Sequence, residues 1–190
     1  KFILNKDQKR SLEDLRKFGN TFNVSLLQGV TGSGKTIVYF ERIKEILNGG
    51  QQVLIMLPEI FLTNQFKERF EEFFSFLPAI WHSKIGLKSK RKIWQGVANN
   101  SLNLVIGARS SLLLPFKNLG LIVLDEEHDS SYKQDEGVIY HARDMAISRA
   151  SFENIPIHLV SAVPSLETFS NIKCKKYNHT RLTNRYRNFS

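Results

Sequence analysis

The sequence predicts an α/β fold, a mostly parallel central sheet with helices on both faces. Strand-like and helix-like segments alternate along the chain. Gly29 to Thr36 reads as a complete phosphate-binding loop, and the aliphatic run Leu121-Ile122-Val123-Leu124 ends in adjacent carboxylates. Alternation implies parallel strands joined by crossover helices. Four consecutive aliphatics that deliver acids describe a buried parallel strand whose C-terminal edge faces a ligand crevice.

The first strand is read over Val24 to Gln28 and the first helix over Lys35 to Leu47, where Ile37, Phe40, Ile43 and Leu47 mark an apolar face and Gly49-Gly50 stops the helix. A strand over Val53 to Leu57 precedes a helix from about Phe61 to Phe76. Ala79-Ile80-Trp81 follows, then a basic helix near Lys88 to Ala98 and strands over Leu102 to Ile106, Leu121 to Leu124 and Ile157 to Val160. Six strands are expected. After Lys173 the pattern fades, and no repeat, low-complexity tract or linker divides residues 1–190, so a single domain is expected.

The 190 residues are 42% hydrophobic and include 14 Phe, enough for a substantial core. A net charge of +9 favours an acidic polymer as partner, although other basic proteins share that balance. The single cysteine, Cys174, excludes an internal disulfide and a cysteine-based zinc site, as a reducing, cytoplasmic setting would permit. No apolar stretch approaches the roughly 20 residues that cross a bilayer. The start at Lys1 has no initiator methionine, and the chain reads as a segment of a longer protein.

Gly29, Val30, Thr31, Gly32, Ser33, Gly34, Lys35 and Thr36 match the pattern in which successive backbone N–H groups close around phosphate oxygens at a helix N-terminus. Lys35 supplies charge to the terminal phosphates, and Thr36 offers its hydroxyl to Mg²⁺. Asp125 can hold the water shell of that ion, leaving Glu126 to orient an attacking water. A glycine-rich turn alone would not need the strand before the loop and the helix after it.

Gly29 to Thr36, Leu57-Pro58-Glu59-Ile60, Gly107-Ala108-Arg109-Ser110-Ser111, Asp125-Glu126-Glu127-His128 and Ser161-Ala162-Val163-Pro164-Ser165 resemble the ordered motifs of a superfamily 2 helicase, in its first RecA-like lobe. Asn118 to Gln134 and Tyr140-His141-Ala142-Arg143-Asp144 resemble, more narrowly, the bacterial primosomal helicases of replication restart. The resemblance runs from about Leu4 to Arg185. It implies an ATP-dependent 3′ to 5′ DNA helicase that uses ATP and Mg²⁺, with Lys35, Asp125 and Glu126 catalytic and Thr36 and Asp125 at the metal. It also implies that Gln8 reads the adenine, where the residues alone suggest a solvated glutamine at a helix start.

Arg109, after a strand end, can pair with a DNA phosphate or make an internal salt bridge. Only the resemblance points to Pro58, Thr63 and Gln65 as further backbone contacts. The polar stretch carrying Tyr132, Lys133, Tyr140 and Arg143 resembles an aromatic loop that couples single-stranded DNA binding to hydrolysis, with half-buried packing of Tyr132 and Tyr140 as the lesser alternative. His128 is expected beside the γ-phosphate, exchanging hydrogen bonds with Ser161. Val163 replaces the family's threonine, which weakens or rewires the expected coupling between hydrolysis and strand movement, and Val138-Ile139 is more apolar than usual, which puts one DNA contact in doubt. The run Lys84, Lys88, Lys90, Arg91, Lys92 reads first as a solvated helix face, with a phosphate-tracking surface as the alternative, and the cluster from Lys173 to Arg187 is likewise open; neither is assigned as a site.

The resemblance further implies partners outside this chain: single-stranded or forked DNA, a second helicase lobe carrying the arginine that completes hydrolysis, and replication-restart proteins, with no membrane. A zinc module and an N-terminal DNA-binding domain belong to the parent, so the isolated lobe is expected to be nearly inactive. Rival readings are an RNA helicase, a small-molecule kinase and a nucleotide-gated nucleic-acid platform without motor activity.

Overall fold

The computed structural model describes residues 2–134 and 140–183, with the backbone alone for Gln134 and Tyr140. Helix α1 (Lys6–Lys17) opens on a capping box, with Gln8 N donating to Asn5 Oδ1 at 2.8 Å and Asn5 N donating to Gln8 Oε1 at 2.9 Å. Strand β1 (Asn23–Gly29) feeds the phosphate loop and α2 (Lys35–Asn48), followed by β2 (Gln52–Met56). Thr63 caps α3 (Asn64–Phe74), so the helix expected from Phe61 starts later, after a 3₁₀ turn at Glu59–Phe61. Next come β3 (Ala79–Trp81), α4 (Leu87–Ala98), β4 (Leu104–Gly107) and β5 (Leu119–Asp125). The short β6 (Lys133–Gln134) and β7 (Tyr140–His141) pair antiparallel, ahead of α5 (Ala142–Phe152), β8 (Pro156–Ser161), α6 (Leu166–Lys173) and β9 (Asn178–Leu182).

The main sheet has seven strands in the order β3-β4-β2-β5-β8-β1-β9, and every pairing in it is parallel. All C-terminal strand ends therefore lie along one edge, the side on which parallel sheets bind ligands. The seventh strand, β9, lies in the region where the sequence pattern fades. Only Thr180 and Leu182 of its five residues are buried, an alternation too short to stand out.

Neighbouring residues of each central strand enter opposite cores, as the period-two geometry of a strand requires. Leu27, Ile55 and Val123 pack with α1, α2 and α3, whereas Leu26, Leu54 and Ile122 pack with α4 and α5. On the first face the Phe40 ring meets Phe66, Phe70, Phe73 and Phe74 at centroid distances of 5.1–5.9 Å. On the second, Ala142, Ala146 and Ala150 give α5 a small-residue face that lies close on the sheet. No helix among the described residues is long and apolar enough to cross a membrane.

Candidate functional site

The phosphate loop leaves β1 at Gly29, where an added Cβ would meet Ser33 Oγ at 2.5 Å and Leu182 Cβ at 3.0 Å. Gly34 caps α2 at φ 83°, a left-handed conformation that favours glycine. Lys35 Nζ folds back to donate to Gly29 O at 2.7 Å and Val30 O at 3.2 Å, and burial lowers its pKa against the opposing pull of Asp125 and Glu126.

Thr31, Gly32, Gly34, Lys35, Thr36, Asp125 and Glu126 line one cleft of about 330 Å³, joined by Thr63, Gln65 and Arg69 from the region of α3. The register explains the meeting. Asp125 at the end of β5 pairs with Val160 of β8, and the next residue of β8, Ser161, pairs with Gln28 at the end of β1. One strand thus separates the loop from the acid.

Asp125 is nearly enclosed, 7% exposed, and burial pushes its pKa up to about 6. Two hydrogen bonds oppose that rise. Tyr39 Oη donates to Oδ2 at 2.8 Å, and Glu126 N donates to Oδ1 at 2.8 Å. Glu126 takes φ 51°, an uncommon left-handed conformation for a residue with a side chain, which turns the chain sharply just after the acid. His128 Nδ1 lies 2.8 Å from Ser161 Oγ, the link expected from the sequence, and His128 Nε2 lies 3.7 Å from a Glu126 carboxylate oxygen. Val163 N donates to the same Ser161 Oγ at 3.0 Å. The Val163 side chain is 70% exposed, so the hydroxyl it lacks is not needed for the Ser161–His128 contact.

Glu127 is fully buried and gathers a network absent from the sequence expectations. Its carboxylate accepts from Ser165 N (2.6 Å), Ser165 Oγ (3.1 Å), Thr168 Oγ1 (3.1 Å) and Arg143 (3.3 Å). Arg143 also donates to Ser165 Oγ and pairs with Glu167. This corrects the expectation that Arg143 faces DNA: with 4% exposure it ties the acidic motif to the start of α6. Tyr132 is corrected likewise. At 1% exposure, with its hydroxyl donating to Asp125 O at 2.6 Å, it is a packing residue and offers no ring face to a base.

Gln8 is neither solvated nor open to a base. It is fully buried, its Oε1 accepts from Asn5 N and its Nε2 lies 3.4 Å from Gly34 O, so it braces α1 against the phosphate loop. Arg109 and Lys133 are brought together, an Arg109 guanidinium nitrogen donating to Lys133 O at 3.3 Å in place of the internal salt bridge. The Tyr140 side chain, Val138-Ile139 and the tail cations Arg185 and Arg187 lie outside the described residues.

Sequence reasoning missed Tyr39, Arg69 and Glu127. Tyr39 follows Lys35 by one helical turn and Arg69 follows Gln65 by one, a spacing that places each on its neighbour's face. Glu127 left no comparable signal, because its partners lie 16 to 41 residues away.

The residues suit a nucleoside triphosphate with Mg²⁺. Ser33 Oγ is buried without a hydrogen-bond partner among the described residues, inside the loop whose amides would meet phosphate. No cluster of three or more His, Cys, Asp or Glu that could hold a metal occurs among the described residues. Mg²⁺ suits that sparse set, since it is usually held by one or two carboxylates, water and substrate phosphates.

The sequence pattern of the DEAD/DEAH box helicases matches residues 5–172, and the chain belongs to that family. Its relatives include replication restart protein PriA of Rickettsia conorii, 51% identical over 97% of this chain and 28% of that protein. PriA of Haemophilus influenzae is 45% identical over 97% of this chain and 25% of that protein. The chain thus spans roughly a quarter of the length of these relatives. Among solved structures, RecG bound to a three-way DNA junction superposes with a TM-score of 0.71 at 25% identity, covering all of this chain and 25% of that one. The helicase MrfA bound to DNA shares the fold, with a TM-score of 0.64 at 16% identity over 96% of this chain and 27% of that one. The fold is that of a RecA-like phosphate-loop NTPase.

Proposed function

We propose that residues 1–190 form a single nucleotide-binding lobe of a 3′ to 5′ DNA helicase acting in replication restart, one that binds ATP with Mg²⁺. The observation that carries this reading is the meeting of Lys35, Thr36, Asp125 and Glu126 in one cleft. The loop amides and Lys35 hold the β- and γ-phosphates; Lys35 reaches them by exchanging its bonds to Gly29 O and Val30 O. Thr36 and Asp125 hold Mg²⁺, which when bound neutralises charge that develops on the phosphates. Glu126 orients the attacking water and takes its proton. His128, hydrogen-bonded to Ser161 and close to Glu126, passes the state of the nucleotide to β8.

Similarity to PriA over most of this chain supports DNA as the polymer and replication-restart proteins as partners. Half-buried Arg109 and exposed Lys133, joined at the same sheet edge, support a strand path beside the hydrolytic residues. Gln8 contacts adenine only if it exchanges its bond with Asn5. The arginine that completes phosphoryl transfer belongs to a second lobe, so this chain alone hydrolyses ATP slowly and does not unwind DNA.

Titration of labelled ATP, with and without Mg²⁺, against the chain and a Lys35→Ala variant tests the site. Binding that strengthens with Mg²⁺ and is lost in the variant supports the reading; equal binding by both defeats it. In a full-length protein, Glu126→Gln separates a motor, which keeps ATP binding and loses hydrolysis, from a nucleotide-gated platform.

A further inference from the structure

Residues 73–124 contain no Asp or Glu but seven Lys and Arg, five of them between Lys84 and Lys92. The remainder of the chain holds 20 cations against 18 acids, so this stretch supplies seven of the nine units of net charge. It builds β3, α4 and β4, one end of the sheet.

Within α4, Ile93 and Val97 pack toward the sheet, while Leu87, Arg91 and Trp94 recur at i, i+4 and i+7 and form one exposed stripe. Trp94 is 45% exposed, and its ring lies 6.4 Å from that of Trp81 at the C-terminal end of β3. The Trp81 indole N–H donates to Ser110 Oγ at 3.1 Å, directly beside Arg109. A line of aromatic and cationic groups thus runs from α4 along the C-terminal sheet edge to the contact of Arg109 with Lys133. Lys84, Lys88, Arg91 and Lys92 form no salt bridge among the described residues.

A solvated basic helix does not require a half-exposed indole, and a packing indole does not require unpaired cations around it. Together they fit a polyanion that carries flat rings, the chemistry of a single-stranded nucleic acid. We propose that Trp94, backed by Trp81 and flanked by the cations of α4 and the turn before it, is a base-stacking and phosphate-binding station for single-stranded DNA. It lies beyond Arg109 on the same edge. This rests on the reading above that DNA follows that edge.

The chain has two tryptophans, 81 and 94, so its tryptophan emission, excited apart from the tyrosines, reports this station alone. An oligothymidylate of about 20 nucleotides, longer than a single-strand site of this kind, is titrated at low salt while tryptophan emission, the anisotropy of a labelled oligonucleotide and labelled-ADP binding are followed. The expected result is quenching with the same midpoint as the anisotropy change. Trp94→Ala loses most of the quenching and binds about fivefold or more weakly, one stacked base being lost. Arg91→Gln lowers the salt dependence of binding by about 0.7 in log–log slope. Both variants keep wild-type ADP affinity. Anisotropy showing full binding with unmoved fluorescence and an unaffected Trp94→Ala overturns the station and leaves the nucleotide lobe standing. Failure to bind either oligonucleotide or ADP overturns both.

Discussion

The phenol of Tyr39 donates a 2.8 Å hydrogen bond to Asp125 Oδ2, joining the helix after the phosphate loop to the end of the acidic strand. That bond favours the ionised carboxylate, while burial pushes the pKa up to about 6. In Tyr39→Phe the pKa rises further, so fewer molecules carry a charged Asp125 near neutrality. Magnesium-dependent nucleotide affinity is expected to fall roughly twofold at pH 6.5 and toward fivefold below about pH 5.5, the worth of one buried hydrogen bond, and to recover toward wild type at pH 8.5. A pH-independent loss would assign Tyr39 a purely structural part.

The same carboxylate destabilises the fold at neutral pH. Its folded pKa lies above the unfolded one, so the stability tied to its bound proton is complete below about pH 3.8 and lost as pH rises through about 6. Asp125→Asn is therefore expected to raise the unfolding free energy at pH 7.5 by up to about 3 kcal/mol, read as a higher Tm, and to abolish Mg²⁺-dependent binding. A Tm below wild type at that pH would contradict it.

Arg143 and Glu127 form a buried pair at 3.3 Å, with side chains 5% and 0% exposed. Removing the cation leaves Glu127 charged and enclosed with hydroxyl and amide donors alone. Arg143→Ala is expected to cost about 3 kcal/mol and lower Tm by roughly 6–12 °C. A DNA-contacting arginine would instead leave Tm unchanged and weaken oligonucleotide binding, so thermal melts beside anisotropy titrations tell the two apart.

His158 is fully buried between β1 and β5, with Nδ1 2.7 Å from Ser25 Oγ, and burial pushes its pKa down to about 3. The unfolded state binds the proton more readily, so this stability is present above about pH 6.5 and lost as pH falls toward 3. At pH 5 the loss is about 2 kcal/mol. Urea melts of His158→Gln should show a flatter acid limb between pH 7 and 5 than wild type; parallel limbs would sink the assignment.

The parts of the fold visible in the sequence are those with continuous aliphatics. Val53 to Leu57 and Leu121 to Leu124 are buried on both faces, and their composition says so. Helix α5 escaped because its inward face is alanine and its other positions are mostly polar, which leaves little apolar contrast to read. At the site, Lys35, Thr36, Asp125 and Glu126, which meet in one cleft, stand out in the sequence because phosphate chemistry fixes their types and spacing. Arg143 and Tyr132 were misjudged because a charge or a hydroxyl does not name its partner. Their partners are Glu127 and the Asp125 carbonyl, reached only when the chain turns inward after β5.

Strand β9 lies along the outer side of β1, with Leu182 in register with Gly29, and Thr180 Oγ1 fastened to Ser11 and Asp14 of α1. A version trimmed after Lys173 would strip that cover. The strand that carries the phosphate loop would then present a row of naked amides and carbonyls to its neighbours, inviting molecules to zip together side by side. Whoever shortens this protein for crystals or spectroscopy should keep β9.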